Sequence, residues 1–301
     1  MRHARWAALA AAAILFGCDS ETKSTPETNQ RARPLITTTL YPVHVFAERI
    51  AGDLADVHCL LPAGADALHW RPDDQAIRSM QSSDLIVFNG ANAEPWAFAL
   101  ALPFSRVEET AAAFRKELIA REGLTHSHGG GESHTHDGYD PHTWLDPRLA
   151  ARQAERVRKA LTKRSPEHEK AFQQNYDALL ADLESLHQAF AAIPLGDGDA
   201  LVAMSPVYDY LARQHGWHVV SLTEDPTSPP SAEQLATIKS QLGGRTVRAV
   251  LWPTAPDATW AEAMGAANVS FPVCAAPPAD GAADYFASMR TSVDALAAAL
   301  K

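Results

Sequence analysis

Ser165–Ile193 reads SPEHEKAFQQNYDALLADLESLHQAFAAI, and this stretch decides the fold. Ser165-Pro166 is a helix start, with Glu167 and Glu169 in the first turn, where acidic side chains suit the positive end of the helix. Apolar residues then fall at Phe172, Tyr176, Leu179, Leu183, Leu186, Phe190 and Ile193. Alternating steps of four and three place them in one stripe down one face. At about 1.5 Å per residue the helix over 166–193 is about 40 Å long. Taken alone it would be an ordinary surface helix.

The flanking sequence gives it another role. Before it, strand-like runs at Leu35–Leu40, Asp56–Leu61 and Asp84–Phe88 alternate with helices predicted at Pro42–Ala51 and Pro72–Gln81. Asp146 followed by Pro147 is an N-cap with proline at the first helical position, opening a helix to about Lys163. After residue 195 the alternation restarts. Strands are predicted at Ala200–Met204, His218–Leu222 and Val247–Trp252, and helices at 206–215, 231–242 and near 281–300. Ser231 and Gln234 have the spacing of a capping box. Two βα-alternating blocks imply an α/β protein with mostly parallel sheets in two lobes, 35–165 and 194–301. Between them the helix acts as a rigid strut, which limits lobe closure and puts a ligand in the cleft between lobes.

The N-terminus addresses the compartment. Residues 1–18, MRHARWAALAAAAILFGC, combine a basic start with an apolar stretch too short to span a bilayer. Leu15-Phe16-Gly17-Cys18 resembles a lipobox, which implies a signal peptide over 1–18 and lipidation of Cys18, and Asp19 directly after it implies retention at the inner membrane on the periplasmic side. Residues 19–34 are polar and suit a flexible tether. The rest of the chain holds no second long apolar run, so the membrane is reached through the lipid alone. A net charge of −10 argues against nucleic acid. Cys59 and Cys274 fall in different lobes, so a disulfide between them is not expected.

Histidine is the unusual residue: 13 in all, five of them between His126 and His142. His126-x-His128 and His134-x-His136 flank Gly129-Gly130-Gly131 in a tract over 125–139, read here as a mobile loop. Imidazole binds zinc, copper or nickel, whereas manganese prefers oxygen-rich shells, so the tract favours zinc. His44, His58, His168, His187, His215 and His218 read as surface or satisfied core residues. His44 is a partial exception, because it follows a strand end facing the expected cleft.

Several ordered motifs carry a resemblance. LPAGADALHWRPDD (61–74), NGANAEPW (89–96), DPHTWLDP (140–147), SPVYDYLARQHGW (205–217) and FPVC (271–274) with DYFASMRTSVDAL (284–296) together resemble the zinc/manganese substrate-binding proteins of ABC transporters. The resemblance implies two lobes joined by one long helix, a divalent metal (zinc, or manganese or another transition ion) in the cleft, and an ABC permease as partner of a monomeric receptor. It places the first two metal ligands at His69 and His142. At the third and fourth ligand positions this chain has Ser205, a poor zinc ligand, and Pro272, which has no donor side chain. Cys274 and Glu224, with Asp225 beside it, are the nearby candidates to rebuild the set, and His126, His128, His134 and His136 could complete it from the loop. Alternatively the chain is a metallochaperone, a metal buffer or a repurposed receptor. No HExxH or GxSxG pattern is present, and nothing in the sequence positions Glu94 or Asp140 as a general base, so an enzyme is not expected.

Overall fold

The computed structural model describes residues 33–67, 69–126, 134–223, 225–279 and 283–301. The expected signal peptide, the expected lipidation site at Cys18 and the expected tether up to residue 32 lie outside the described residues. The last two tether residues belong to the folded body. Arg33 pairs with Asp56, and the Pro34 carbonyl accepts the Asp56 amide at 2.8 Å.

The first sheet is built from β1 (Leu35–Thr38), which leads into α1 (Tyr41–Ala51), β2 (Asp56–Cys59), α2 (Asp74–Ser82), β3 (Leu85–Phe88) and β4 (Val107–Glu109). Its order is β2-β1-β3-β4, parallel throughout. β3, sequence LIVF, is buried on both faces, as a central parallel strand must be. The helix expected from Pro72 starts at Asp74, because the Asp73 carboxylate caps it by accepting from the Ala76 amide.

The tract read as a loop is a hairpin at both flanks. β5 (Ala120–His126) and β6 (His134–Tyr139) pair antiparallel, with His126 opposite His134. The connection 127–133 lies outside the described residues. α3 (Pro147–Arg164) follows, capped by Asp146 as the sequence indicates. The long helix begins as a single 3-10 turn at Pro166–His168 and becomes α4 (Glu169–Ala191). Its stripe is buried: Phe172, Leu179, Leu183, Leu186 and Phe190 are at most 1% exposed. Tyr176 is half-buried, with the Arg158 guanidinium 5.8 Å over its ring.

The second sheet comprises β7 (Asp199–Ala203), α5 (Asp209–His215), β8 (Val219–Ser221), α6 (Ala232–Leu242), β9 (Thr246–Trp252), α7 (Ala258–Met264) and β10 (Ala267–Ser270), followed by α8 (Tyr285–Ala299). Strand order is β10-β9-β7-β8, again parallel. The capping box at Ser231 and Gln234 forms in both directions. Gly216 ends α5 in the left-handed region (φ 69°), where an L side chain would be strained. α7 and β10, like β4, were not expected: they are short and carry too few apolar residues to show a period.

The main core is continuous across both sheets and the long helix. It takes in Phe46 and Ile50 of α1, the stripe of α4, Leu201 of β7, Phe271, and Tyr285 and Leu296 of α8. Phe190 stacks on Phe271 at 5.9 Å and 4° between planes, which fixes the end of the strut against the second sheet. No helix among the described residues is long and apolar enough to cross a membrane.

Candidate metal centre

His69 lies beyond the C-terminal end of the parallel strand β2, the usual side for a ligand in open α/β sheets, whereas His142 follows the antiparallel hairpin. His142 follows β6 and is almost buried, on a segment held from below. The Asn89 side chain, at the end of β3, donates to the Pro141 carbonyl at 3.0 Å. Its carbonyl oxygen accepts from Gln153 at 2.9 Å and Thr143 at 3.3 Å. The His142 amide donates to Asp140 Oδ1 at 3.0 Å, and His142 Nδ1 lies 2.7 Å from the same oxygen. An ionised carboxylate can only accept, so Nδ1 carries a proton, and in the neutral ring the lone pair is on Nε2. That is the state in which imidazole binds a metal, with the carboxylate behind it fixing ring and tautomer.

Asp140 is itself anchored. Arg121 of β5 reaches its Oδ2 at 2.8 Å, Asp209 at 2.9 Å and the Pro206 carbonyl at 2.6 Å. Burial alone would push the Asp140 carboxyl up, yet the His142 hydrogen bonds and the Arg121 charge hold it below the ordinary carboxylate value. For Asp209 burial outweighs the same guanidinium and leaves its carboxyl raised. Tyr210 of α5 donates to the Asp140 carbonyl at 2.9 Å, and Trp144 donates to the Val273 carbonyl at 2.6 Å. The His142 loop therefore touches both sheets' loops.

His69 sits in the segment after β2 with its side chain 84% exposed. Its Nδ1 lies 2.7 Å from Asp66 Oδ2, repeating the imidazole–carboxylate arrangement of His142. The following Trp70 packs edge-on against Trp96 at 5.5 Å, tying this loop to the first sheet.

Ser205 and Pro272 lie on adjoining segments, since Tyr208 donates to the Phe271 carbonyl at 2.5 Å. Cys274, beyond Pro272, adopts φ 55° and its thiol is directed at the Pro272 carbonyl at 3.5 Å. Burial pushes that thiol up to about 11, so it is protonated at neutral pH. Cys59 and Cys274 are both free. His126, His134 and His136 fall on the hairpin strands, while His128 and Glu224 lie outside the described residues. Among the described residues no three His, Cys, Asp or Glu side chains gather into a metal-binding group.

Sequence reasoning missed Asp66, Asp140 and Arg121 as supports of the candidate ligands. The short D-x-x-H and D-x-H spacings were the available signal. It also left Glu94 unplaced. Gly90, Ala91 and Asn92 all have positive φ, and the turn aims the Asn89 and Gly90 amides at the Glu94 carboxylate, at 2.9 and 3.0 Å. Thr39 donates to it at 2.5 Å. Burial nonetheless pushes the Glu94 carboxyl up to about 7. Its role is to join the ends of β1 and β3.

Two parallel α/β units joined by one long helix, with imidazole–carboxylate pairs on strand-end loops, define a two-lobed binding-protein fold. Residues 36–299 match the family described as zinc-uptake complex component A, periplasmic, and the chain belongs to that family. It is 30% identical over 234 residues to the zinc-binding lipoprotein AdcA of Streptococcus pneumoniae, covering 75% of this chain and 45% of AdcA. The chain thus spans about half the length of that relative. With the high-affinity zinc uptake system protein ZnuA of Bacillus subtilis it shares 26% identity over 71% of this chain and 69% of the relative. Its fold matches the crystal structure of the Zn(II)-bound ZnuA-like domain of S. pneumoniae AdcA with a TM-score of 0.72 at 24% identity, covering 89% of this chain and 99% of that one. The metal-dependent lipoprotein YcdH of B. subtilis matches with a TM-score of 0.73 at 22% identity, over 89% and 100%.

Proposed function

We propose that this chain is the extracytoplasmic receptor of an ABC importer, which captures Zn²⁺ in the cleft between its lobes and delivers it to the permease. The observation that carries the reading is the His142–Asp140 pair, an almost buried imidazole with Nδ1 committed to a carboxylate and Nε2 left to coordinate. His69, backed by Asp66 in the same way, is the second ligand, approaching from an exposed loop. A neutral imidazole pair suits Zn²⁺ better than Mn²⁺. Family membership and relatives named for zinc binding and zinc uptake support the same cargo. The receptor works as a monomer, held at the periplasmic face of the inner membrane by lipid on Cys18. It binds and releases without chemical turnover.

A second reading has an observation of its own. Ser205 and Pro272 occupy the positions where the resemblance expects the third and fourth ligands, and no three-donor group exists among the described residues. A metal buffer or metallochaperone would need only the looser site that His69 and His142 form with the loop histidines. Calorimetric titration of the metal-stripped protein with Zn²⁺ separates the two. A receptor binds one ion tightly through His142, whereas a buffer binds several weakly and keeps most of them in His142→Ala.

A further inference from the structure

His187 of α4 and His215 of α5 are distant in sequence, and each read alone is a surface or core residue. The fold brings their rings together, with centroids 5.1 Å apart and planes 30° apart. His187 Nδ1 and His215 Nε2 are buried and have no hydrogen-bond partner among the described residues. Unpartnered polar atoms are uncommon in folded proteins and call for an explanation.

We propose that His187 and His215 form a second metal site, separate from the cleft, in which the two imidazoles share one divalent transition ion of the zinc or copper type. The spacing fits. With nitrogen–metal distances of about 2.0–2.1 Å, each ring centre lies roughly 3.2 Å from the ion, and two rings at a tetrahedral angle are then about 5.2 Å apart. On the His187 side the pair borders an open cavity of about 460 Å³, bounded by Glu117, Arg148, Arg152, Glu184, His187 and Gln214; His215 lies behind His187 and does not line it. Water entering there fills the remaining coordination positions. Glu184, one turn before His187, supplies negative charge that opposes Arg148, and Arg152 is already neutralised by Glu117 at 2.7 Å.

Both rings are ready to coordinate at neutral pH. Burial, with His215 and His187 facing one another and Arg148 nearby, lowers His215 to about 4. Burial also lowers His187, against the pull of Glu184. Protons therefore compete little for the lone pairs. An ion held here would pin α4, the strut between the lobes, to α5 of the second lobe. His215 also stacks on Trp217 at 5.2 Å, which gives the site an optical reporter.

The test titrates the metal-stripped full chain with Cu²⁺, a paramagnetic quencher, and follows tryptophan fluorescence and electron paramagnetic resonance. Wild type, His187→Gln, His215→Gln and Trp217→Phe are compared, with circular dichroism to confirm folding. Wild type should take up one more equivalent than either histidine variant, because neither imidazole holds the ion alone. The quenching lost in each of them should be the part that also disappears in Trp217→Phe. Equal stoichiometry and equal quenching in wild type and both histidine variants would overturn the site. So would loss in only one folded histidine variant, which would mean that the rings do not share an ion. Because the variants leave His142 untouched, failure here says nothing against the cleft.

Discussion

His142 Nδ1 lies 2.7 Å from Asp140 Oδ1, and the other oxygen of that carboxylate holds Arg121 at 2.8 Å. One buried carboxylate thus sets the tautomer of the candidate ligand and also anchors an arginine that reaches Pro206 and Asp209 at the start of the second lobe. Ligand geometry and lobe position are coupled through a single side chain.

Asp140→Asn keeps the shape of that side chain and removes its charge. The imidazole loses the acceptor that fixes its proton, so zinc affinity should fall by about 10–100-fold, the usual effect of a support behind a metal ligand. Competitive zinc titration against a chromophoric chelator reads this directly. Unchanged affinity would show that the carboxylate does not tune His142.

His69 is exposed, and among the described residues its hydrogen bonds go to Asp66 of its own loop. His69→Ala should leave the thermal midpoint of the metal-free protein within about 1 °C while weakening zinc binding, since surface changes away from packing cost little. A large loss of apo stability would mean the loop is structural.

Glu94 makes stability depend on pH in a predictable direction. Its carboxyl is raised by burial from 4.5 to about 7, so the fold favours the protonated form. That contribution is full below about 4.5 and is lost as pH rises through about 7, on the order of 3 kcal/mol across the window. Asp140 works the other way: its lowered carboxyl stabilises the fold above the ordinary carboxylate range and ceases to do so as pH falls through its folded value. The difference in unfolding free energy between wild type and Glu94→Gln should therefore change steadily between pH 4.5 and 7. A constant difference would contradict this account of Glu94.

Phe190 ends the buried stripe of α4 and stacks on Phe271. Phe190→Ala should cost about 3–5 kcal/mol in denaturant unfolding, as expected for a large aromatic removed from a tight core. A loss under 1 kcal/mol would show that the strut is not held at this end.

The parts of this fold legible in the sequence were those where one strong local rule acted. The apolar stripe from Phe172 to Ile193, the Asp146-Pro147 start and the Ser231–Gln234 box each specify their element from neighbouring residues alone, and each element forms, although α4 ends at Ala191, short of Ile193. β4, α7 and β10 were missed because their short segments are fixed by pairing with distant strands rather than by their own period. Pro166–His168 departs from the α-helix as a 3-10 turn, a boundary detail that spacing does not encode. At the candidate site the histidines could be named from motif likeness, but their supports could not be ranked. Asp140 reads like any loop carboxylate until Arg121, 19 residues before it, is seen to fold back onto it. The His187–His215 contact is likewise a product of helix packing and leaves no local pattern.

The most direct test of the central claim is calorimetric Zn²⁺ titration of the metal-stripped mature protein, beside the His69→Ala/His142→Ala double variant and a deletion of residues 126–136. A cleft receptor predicts tight one-to-one binding that survives the deletion and is lost in the double variant. Binding that disappears with the deletion and persists in the double variant would contradict it and assign the metal to the histidine-rich hairpin.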